Sequence, residues 1–318
     1  MPTSLVLENL TNPALLFFVL GILAVYLKSD LEIPPSSSKF ITLYLLFCIG
    51  FNGGQELSHE TISAEIIISM LFGIAISVII PVYTFFILKR KFDVYNAGAI
   101  AAAYGSISAV TFVTAVNYLE LKGFVVHGHM VAMMALMESP AIIAGLVLIS
   151  IFQTSDVEKI KKRMAVKHSF TNGSVLIILG SLVIGFLAST KQAEGIKPFT
   201  TDIFQGFLAI FLLDMGISSG RKLNSFVSTG WFPIAFGVLV PIINGCLVAL
   251  LSSLVTDDIS NRFVFAILAA SASYIAVPAA MKIAVPQANP GLFLPMALAI
   301  TFPFNITFGM PLYYWLVA

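Results

Sequence analysis

The sequence predicts an all-α polytopic membrane protein: ten transmembrane helices in two inverted five-helix repeats, with crossed interrupted helices in spans 4 and 9. Three observations predict it. Hydrophobic residues make up 58% of the chain and charged residues 10%, with a mean hydropathy of +0.97. A soluble domain is roughly 45–50% apolar and 25% charged, so this chain has more apolar surface than a soluble core can hide. The apolar residues fall into about ten runs, each near the ~20 residues that cross a bilayer. The two halves also resemble each other, although their fifth runs align poorly.

The runs cover 13–28, 39–55, 62–88, 94–119 and 129–152, then 170–190, 202–220, 226–255, 261–285 and 291–317. Residues 1–12 carry no Lys or Arg, and no small-residue cleavage site follows, so the first run is expected to be retained as a span. One sizeable polar connection, "QTSDVEKIKKRMAVKHS" at 153–169, divides a first repeat (1–152) from a second (170–318). Basic residues set the orientation. With the N-terminus outside, only Lys122, Lys191, Lys197 and Arg262 of the 17 Lys and Arg face outward. Both termini are therefore expected outside the cell (inner) membrane, with the central loop cytoplasmic.

The repeat rests on three alignments. "LLFCIGFNGGQEL" (45–57) matches "FLLDMGISSGRKL" (211–223), setting Gly50 on Gly216 and Gly54 on Gly220. "FGIAIS" from Phe72 matches "FGVLVP" from Phe236. Ala102–Val110 matches Ala269–Val277, which sets Ser106 opposite Ser273. Five spans is an odd number, so the second copy enters from the opposite side, a plan common in secondary transporters.

Spans 4 and 9 carry polar and small residues at mid-depth: "AAAYGSISAVT" (101–111) and "AASASYIAVPAA" (269–280). A helix opens in hydrocarbon only where its freed N–H and C=O groups find protein, water or ligand. Gly105, Ser106 and Ser108 permit an opening in span 4. Pro278 lacks an N–H and suits the first turn of a new helix in span 9. Each opening would expose a helix N-terminus, which attracts anions. Freed carbonyls and Ser or Thr hydroxyls are hard oxygen donors of the kind Na⁺ takes. Close packing of small residues is the competing explanation for either stretch alone.

Glu138 lies in the middle of span 5, just before Pro140. A charge at helix centre costs at least ~2.5 kcal/mol on insertion scales, so it needs a partner or a task. Coupling-ion binding is favoured over a buried structural hydrogen bond. Asp214 in span 7 is balanced between function and a scaffold hydrogen bond. Asn305 in span 10 either completes the ion site or bonds a neighbouring helix. His59, His127, His129 and His168 lie in or beside loops and read as solvated. Cys48 and Cys246 read as packed thiols rather than a disulfide.

No GxSxG, P-loop, CxxC or HExxH motif occurs, so an enzyme, an organic cofactor and a transition-metal site are not expected. A net charge of +1 gives no support to nucleic-acid binding. Without a nucleotide site, active transport must draw on an ion gradient, worth ~2.3 kcal/mol per charge per 100 mV from the potential alone.

Four strings carry a specific resemblance: "NAGAIAAAYGSISAVTFVTA" (96–115), "MALMESPAIIAGL" (134–146), "ASASYIAVPAAM" (270–281) and "ITFPFNITFGMPLYY" (300–314). Through them, nearly the whole chain resembles the sodium-dependent bicarbonate transporters first defined in cyanobacteria. The resemblance implies a Na⁺/bicarbonate symporter, with a core of spans 3–5 and 8–10, a scaffold of spans 1–2 and 6–7, and a homotrimeric assembly in membrane lipid. It implies substrate contacts at Gly105, Ser106, Ser108, Ala109 and Thr111, and at Ser271, Ala272, Ser273 and Ile275. Glu138 becomes a Na⁺-site carboxylate, with Ser106, Ser108, Ser271 and Asn305 as further candidates for Na⁺. Longer members of that family have an extended central loop and are inhibited by a PII-like protein at the cytoplasmic face. Here the loop is a short basic stretch, Lys159 to Lys167, which argues against such a partner.

The expected function is Na⁺-coupled uptake of bicarbonate by alternating access, with an elevator-like motion of core against scaffold. The rivals are a Na⁺ symporter of another small monocarboxylate, a cation/proton antiporter using Glu138 or Asp214, and a membrane sensor without flux.

Overall fold

The structure is a computed structural model that describes residues 13–59, 63–153, 173–226 and 230–318. Those residues are helical with no strand. The helices are α1 (Pro13–Tyr26), α2 (Pro35–His59), α3 (Ala64–Leu88), α4 (Val94–Gly105), α5 (Ala109–Glu120) and α6 (Gly128–Phe152). After the linker come α7 (Gly173–Leu187), α8 (Thr190–Lys197), α9 (Phe204–Phe226), α10 (Trp231–Leu251), α11 (Ile259–Ala270) and α12 (Ala276–Ala284). The last, α13 (Pro290–Val317), contains π turns at Met296–Thr301 and Asn305–Gly309. Six helical stretches among the described residues are long and apolar enough to cross a membrane. Residues 154–169, with most of the basic linker, and residues 1–12 lie outside the described residues, as does the side chain of His59.

The helices are turned inside out relative to a soluble protein. On α3, Ile67, Leu71, Ile79 and Phe86 are exposed, while Ser69, Ser77 and Thr84 are buried. On α10, Leu239, Ile243, Leu247 and Leu250 are exposed, while Asn244 is buried. Apolar faces this broad need a hydrocarbon solvent, and two of the buried hydroxyls bond their own backbone, Ser77 to Ile74 (2.8 Å) and Thr84 to Ile80 (2.6 Å). The stretch Val94–Glu120, which holds α4 and α5, is the opposite case, 89% buried along its most apolar window. It forms the centre of the molecule.

Two helix pairs approach backbone to backbone. Gly21 of α1 lies against Leu213 and Ile217 of α9, and Gly216 of α9 lies against Phe18. Gly54 of α2 lies against Leu182 and Phe186 of α7, and Gly185 of α7 lies against Phe51. Only glycine permits such proximity. These contacts correct the alignment made from sequence. Gly54 plays the part of Gly216, not of Gly220. A four-residue slip keeps the same helical face, so a Gly-x-x-x-Gly pattern fits both registers.

The broken helices correct the register too. Asp93 caps α4 and Asp258 caps α11, each accepting from the backbone N–H three residues on, at Asn96 and Asn261. Both helices have 12 residues and end on an extended serine, Ser106 and Ser271. The offset is constant: 93 to 258 and 106 to 271, or 165 residues. Ser106 therefore corresponds to Ser271 and Ser108 to Ser273, two residues away from the sequence alignment. Runs of Ala and Ser hide such slips, whereas the Asp-x-x-Asn caps do not.

Polar links tie the loops at each end. At one end His127 pairs with Asp258 (3.7 Å), Ser260 donates to the Val125 carbonyl (3.0 Å), Arg262 to that of Val317 (3.2 Å), and Gln55 to that of Ala188 (2.8 Å). At the other, Arg221 pairs with Glu32 (3.4 Å), the Asn289 N–H donates to Asn96 (2.7 Å), and Lys89 lies over the Phe152 ring. Asp258 stands in a loop outside the spans. A hydrogen bond from His127 holds its carboxyl well below the usual carboxylate range, against the upward push of burial; Ser260 and Asn261 add to the lowering. A lowered folded value means that the stabilisation is complete above the unfolded value near ~3.9 and is lost as pH falls through the folded one. Asp258→Asn is thus expected to lower the melting temperature in detergent at neutral pH and to shrink the loss on acidification below about pH 4. Equal melting curves across pH for both proteins would remove the link from the stability of this end.

Candidate functional site

The site is built where the two broken helices meet. α4 ends at Gly105, which is pressed against Pro81 of α3; a Cβ there would enter the proline ring. The Ser106 N–H still reaches the Ala102 carbonyl (2.9 Å), and the chain then runs extended. Ser108 restarts the helix as the N-cap of α5, its hydroxyl accepting from the Thr111 N–H (3.2 Å). In the second half α11 stops at Ala270, and α12 begins at Ala276 with Pro278 in its first turn.

The freed backbone groups satisfy one another. The Ser108 N–H donates to the Ser271 hydroxyl (3.0 Å), and the Ser273 N–H donates to the Ala103 carbonyl (2.8 Å). The Ser271 hydroxyl donates in turn to Leu268 (2.8 Å), and the Asn305 amide donates to Ala270 (2.8 Å). The Ser273 hydroxyl accepts from the Val277 N–H (3.4 Å). This is the accounting that hydrocarbon demands.

Between the breaks lies a cavity of about 20 Å³. Ile107, Ser108 and Ala109 wall one side; Ser273, Tyr274, Ile275 and Ala276 wall the other; Glu138 of α6 closes it. That volume is enough for one water-sized occupant. Glu138 is 5% exposed, and its Oε1 has no hydrogen-bond partner. An orphaned carboxylate oxygen at this depth calls for a cation or a proton. No metal-ligating cluster of three or more His, Cys, Asp or Glu occurs among the described residues. The donors here are one carboxylate, hydroxyls and carbonyls, the set that fits Na⁺ rather than a transition metal.

Of the residues expected from sequence, Ser108, Ala109, Glu138, Ser273 and Ile275 line this cavity. Gly105, Ser106, Thr111, Ser271 and Ala272 stand behind it. Ser106 is buried with its hydroxyl unpartnered, whereas the Ser271 hydroxyl is engaged between Ser108 and Leu268. Asn305 sits in a π turn, an irregularity frequent at functional sites, but its amide braces the end of α11 instead of lining the cavity. Asp214 of α9 accepts from the Ser38 hydroxyl on α2 and does not line the cavity, though its carboxylate lies near enough to act on the Tyr274 hydroxyl. His129 corrects an expectation: it is buried, not solvated. The start of α6 is pushed onto α2, where a Cβ on Gly128 would run into the backbone at Gly53, and that contact covers the first turn. Cys48 and Cys246 are free thiols. Tyr274 was not singled out from sequence; an aromatic inside an apolar span reads as core.

A helical membrane protein whose two broken helices enclose a buried carboxylate is of the transporter class. The chain belongs to the Na⁺-dependent bicarbonate transporter superfamily, whose family model matches residues 13–318. No curated protein matches it. The family is one of transporters, not enzymes, and its solutes are bicarbonate and Na⁺.

Proposed function

We propose that this chain takes up bicarbonate together with Na⁺ by alternating access, from a site at the meeting point of the broken helices. The unpartnered Glu138 oxygen in an ion-sized cavity carries the reading. Na⁺ sits against Glu138 with hydroxyls of Ser108 and Ser273 beside it. Bicarbonate joins it at the N-termini of α5 and α12, where N–H groups and helix dipoles favour an anion. Without Na⁺ the bound charges are all negative, which couples the two solutes.

Ten crossings in two inverted repeats form part of this proposal. Three observations support it. Every end-to-end link described above joins loops that ten alternating crossings assign to one side. The α4 and α11 caps keep one offset. The α1–α9 and α2–α7 contacts exchange when the first two spans of each half are swapped. The core is then α3–α6 with α10–α13, and the scaffold is α1, α2 and α7–α9, with both termini outside. The homotrimer is carried over from the family resemblance, and no surface here is assigned to a PII-like partner.

An elevator-like motion is supported by a second cavity of about 690 Å³ at the His127 end, between scaffold residues such as Asn52 and Thr201 and core residues Val116 and Val131. Val116 is seven residues from Ala109 on α5, and Val131 is seven from Glu138 on α6. Seven residues return to the same helical face about 10.5 Å away. The large cavity therefore stands two turns outward of the small one, along the same faces. Sliding the core by that distance would bring the ion cavity to the outer chamber.

Uptake of labelled bicarbonate into proteoliposomes, with and without an inward Na⁺ gradient and beside a pH dye, tests the reading. Na⁺-dependent uptake is expected. A Na⁺-driven pH change without bicarbonate flux would replace it with the antiporter, and acetate uptake without bicarbonate uptake would move it to another monocarboxylate.

A further inference from the structure

Tyr274 breaks the correspondence between the two halves. At the constant offset of 165 residues its counterpart is Ala109. Both line the ion cavity, but one side contributes a methyl group and the other a phenol ring. The Tyr274 ring is 9% exposed and lies edge-on to Phe302 of α13 (6.1 Å between centroids). Its hydroxyl stands between the Ser108 hydroxyl and Met215 Sδ on α9 (3.8 Å), with the Asp214 carboxylate nearby. Tyr274 thus joins the cavity wall to a scaffold helix.

The cavity volume makes this contact matter. About 20 Å³ admits one water-sized occupant, so Na⁺ fits as the protein stands. Bicarbonate has four heavy atoms and does not fit. Room for it must come from a wall, and the two walls differ. Backbone at Ile107–Ala109 is pinned by the Ser108–Ser271 bond and the α5 cap. Tyr274 is a side chain whose tip meets the Met215 thioether, a weak acceptor, and the Ser108 hydroxyl, so it can turn at its own rotamer without breaking backbone bonds.

We infer that the Tyr274 ring stands in the room of the transported anion and sets the largest anion the site accepts. Resting on the site proposed above, this makes Tyr274 a specificity-determining residue. In that role the ring leaves Met215 when the core moves along α9, and bicarbonate, planar and small, enters the space released. A bulkier carboxylate meets the ring. Na⁺ binding, which uses Glu138, does not depend on the ring.

The test compares Na⁺-driven uptake of bicarbonate and of the longer propionate in proteoliposomes for wild type, Tyr274→Ala and Tyr274→Leu. The propionate-to-bicarbonate ratio is expected to rise about tenfold or more in Tyr274→Ala, in the range that one added methylene makes in a pocket. Tyr274→Leu, which keeps an apolar side chain of intermediate size, is expected to fall between. The Na⁺ concentration for half-maximal uptake is expected to stay within about twofold of wild type. Tyr274→Phe keeps the ring and is expected to keep the ratio. An unchanged ratio in a Tyr274→Ala or Tyr274→Leu protein that still takes up bicarbonate would overturn the inference while leaving the proposed function standing. Wild type without Na⁺-driven uptake of either anion would instead remove the proposed function itself.

Discussion

Glu138→Gln is expected to raise the Na⁺ concentration for half-maximal uptake by about tenfold or more, a loss of at least ~1.4 kcal/mol of Na⁺ binding. The amide keeps the size of the carboxyl, so the packing of α6 is preserved. It loses the negative charge and replaces one acceptor oxygen by a donor. The orphaned Oε1 is the observation at stake, since no protein donor reaches it in a cavity of about 20 Å³. Replacing it should relieve the buried charge and stabilise the Na⁺-free protein, so melting without Na⁺ is expected to move upward while the Na⁺-induced shift shrinks. Uptake measured against Na⁺ concentration, with melting in Na⁺ and in a large organic cation, reads both. A Na⁺ activation curve identical to wild type would take Glu138 out of the ion site. A flattened pH dependence of the remaining uptake would point to proton carriage instead.

Gly216→Leu is expected to be among the most damaging single changes in the scaffold. Its side chain would enter the backbone of α1 at Phe18 and Gly21, and backbone has no rotamer to yield. Overpacking costs about 1–3 kcal/mol where side chains can shift, and the upper end or beyond is expected here. Two changes on the same helix provide the scale. A Cβ at Gly220 meets Val25 Cβ at 3.2 Å, a contact that a small shift relieves, and a Cβ at Gly206 meets nothing within 4 Å. The melting temperature in detergent should therefore fall most for Gly216→Leu, less for Gly220→Leu and little for Gly206→Leu. Equal melting for the three would mean that the α1–α9 crossing does not limit stability.

Much of this was legible in the sequence because the bilayer is an uncompromising solvent. It forces long apolar runs, and it punishes a helix break unless polar groups compensate, so Gly105-Ser106-Ile107-Ser108 and the serines before Pro278 marked both openings. Glu138 was legible for the same reason, as a charge with no visible partner. Register was not, because Ala, Gly and Ser repeat at helical spacing and a shift of two or four residues leaves the pattern looking intact. The capping pairs Asp93 with Asn96 and Asp258 with Asn261 were the better markers, being polar residues at fixed places on helix ends. Asn305 had the right depth for the site, but depth does not say which neighbour an amide will reach. Tyr274 was hidden by its chemistry, since a phenol in an apolar run looks like core until its hydroxyl is followed to Met215.

The mutual bonds at the breaks also bear on how such a protein is made. The Ser108 N–H is met by Ser271, and the Ala103 carbonyl by Ser273, across more than half the length of the chain. While the ribosome has released only the first half, the middle of that half has no partner for these groups, and lipid offers none. The early helices must then either wait in a wetter place, beside the insertion machinery, or keep the 101–111 stretch continuous until the second half arrives. The site is in that sense the last thing to form during synthesis, and neither half alone holds a finished copy of it.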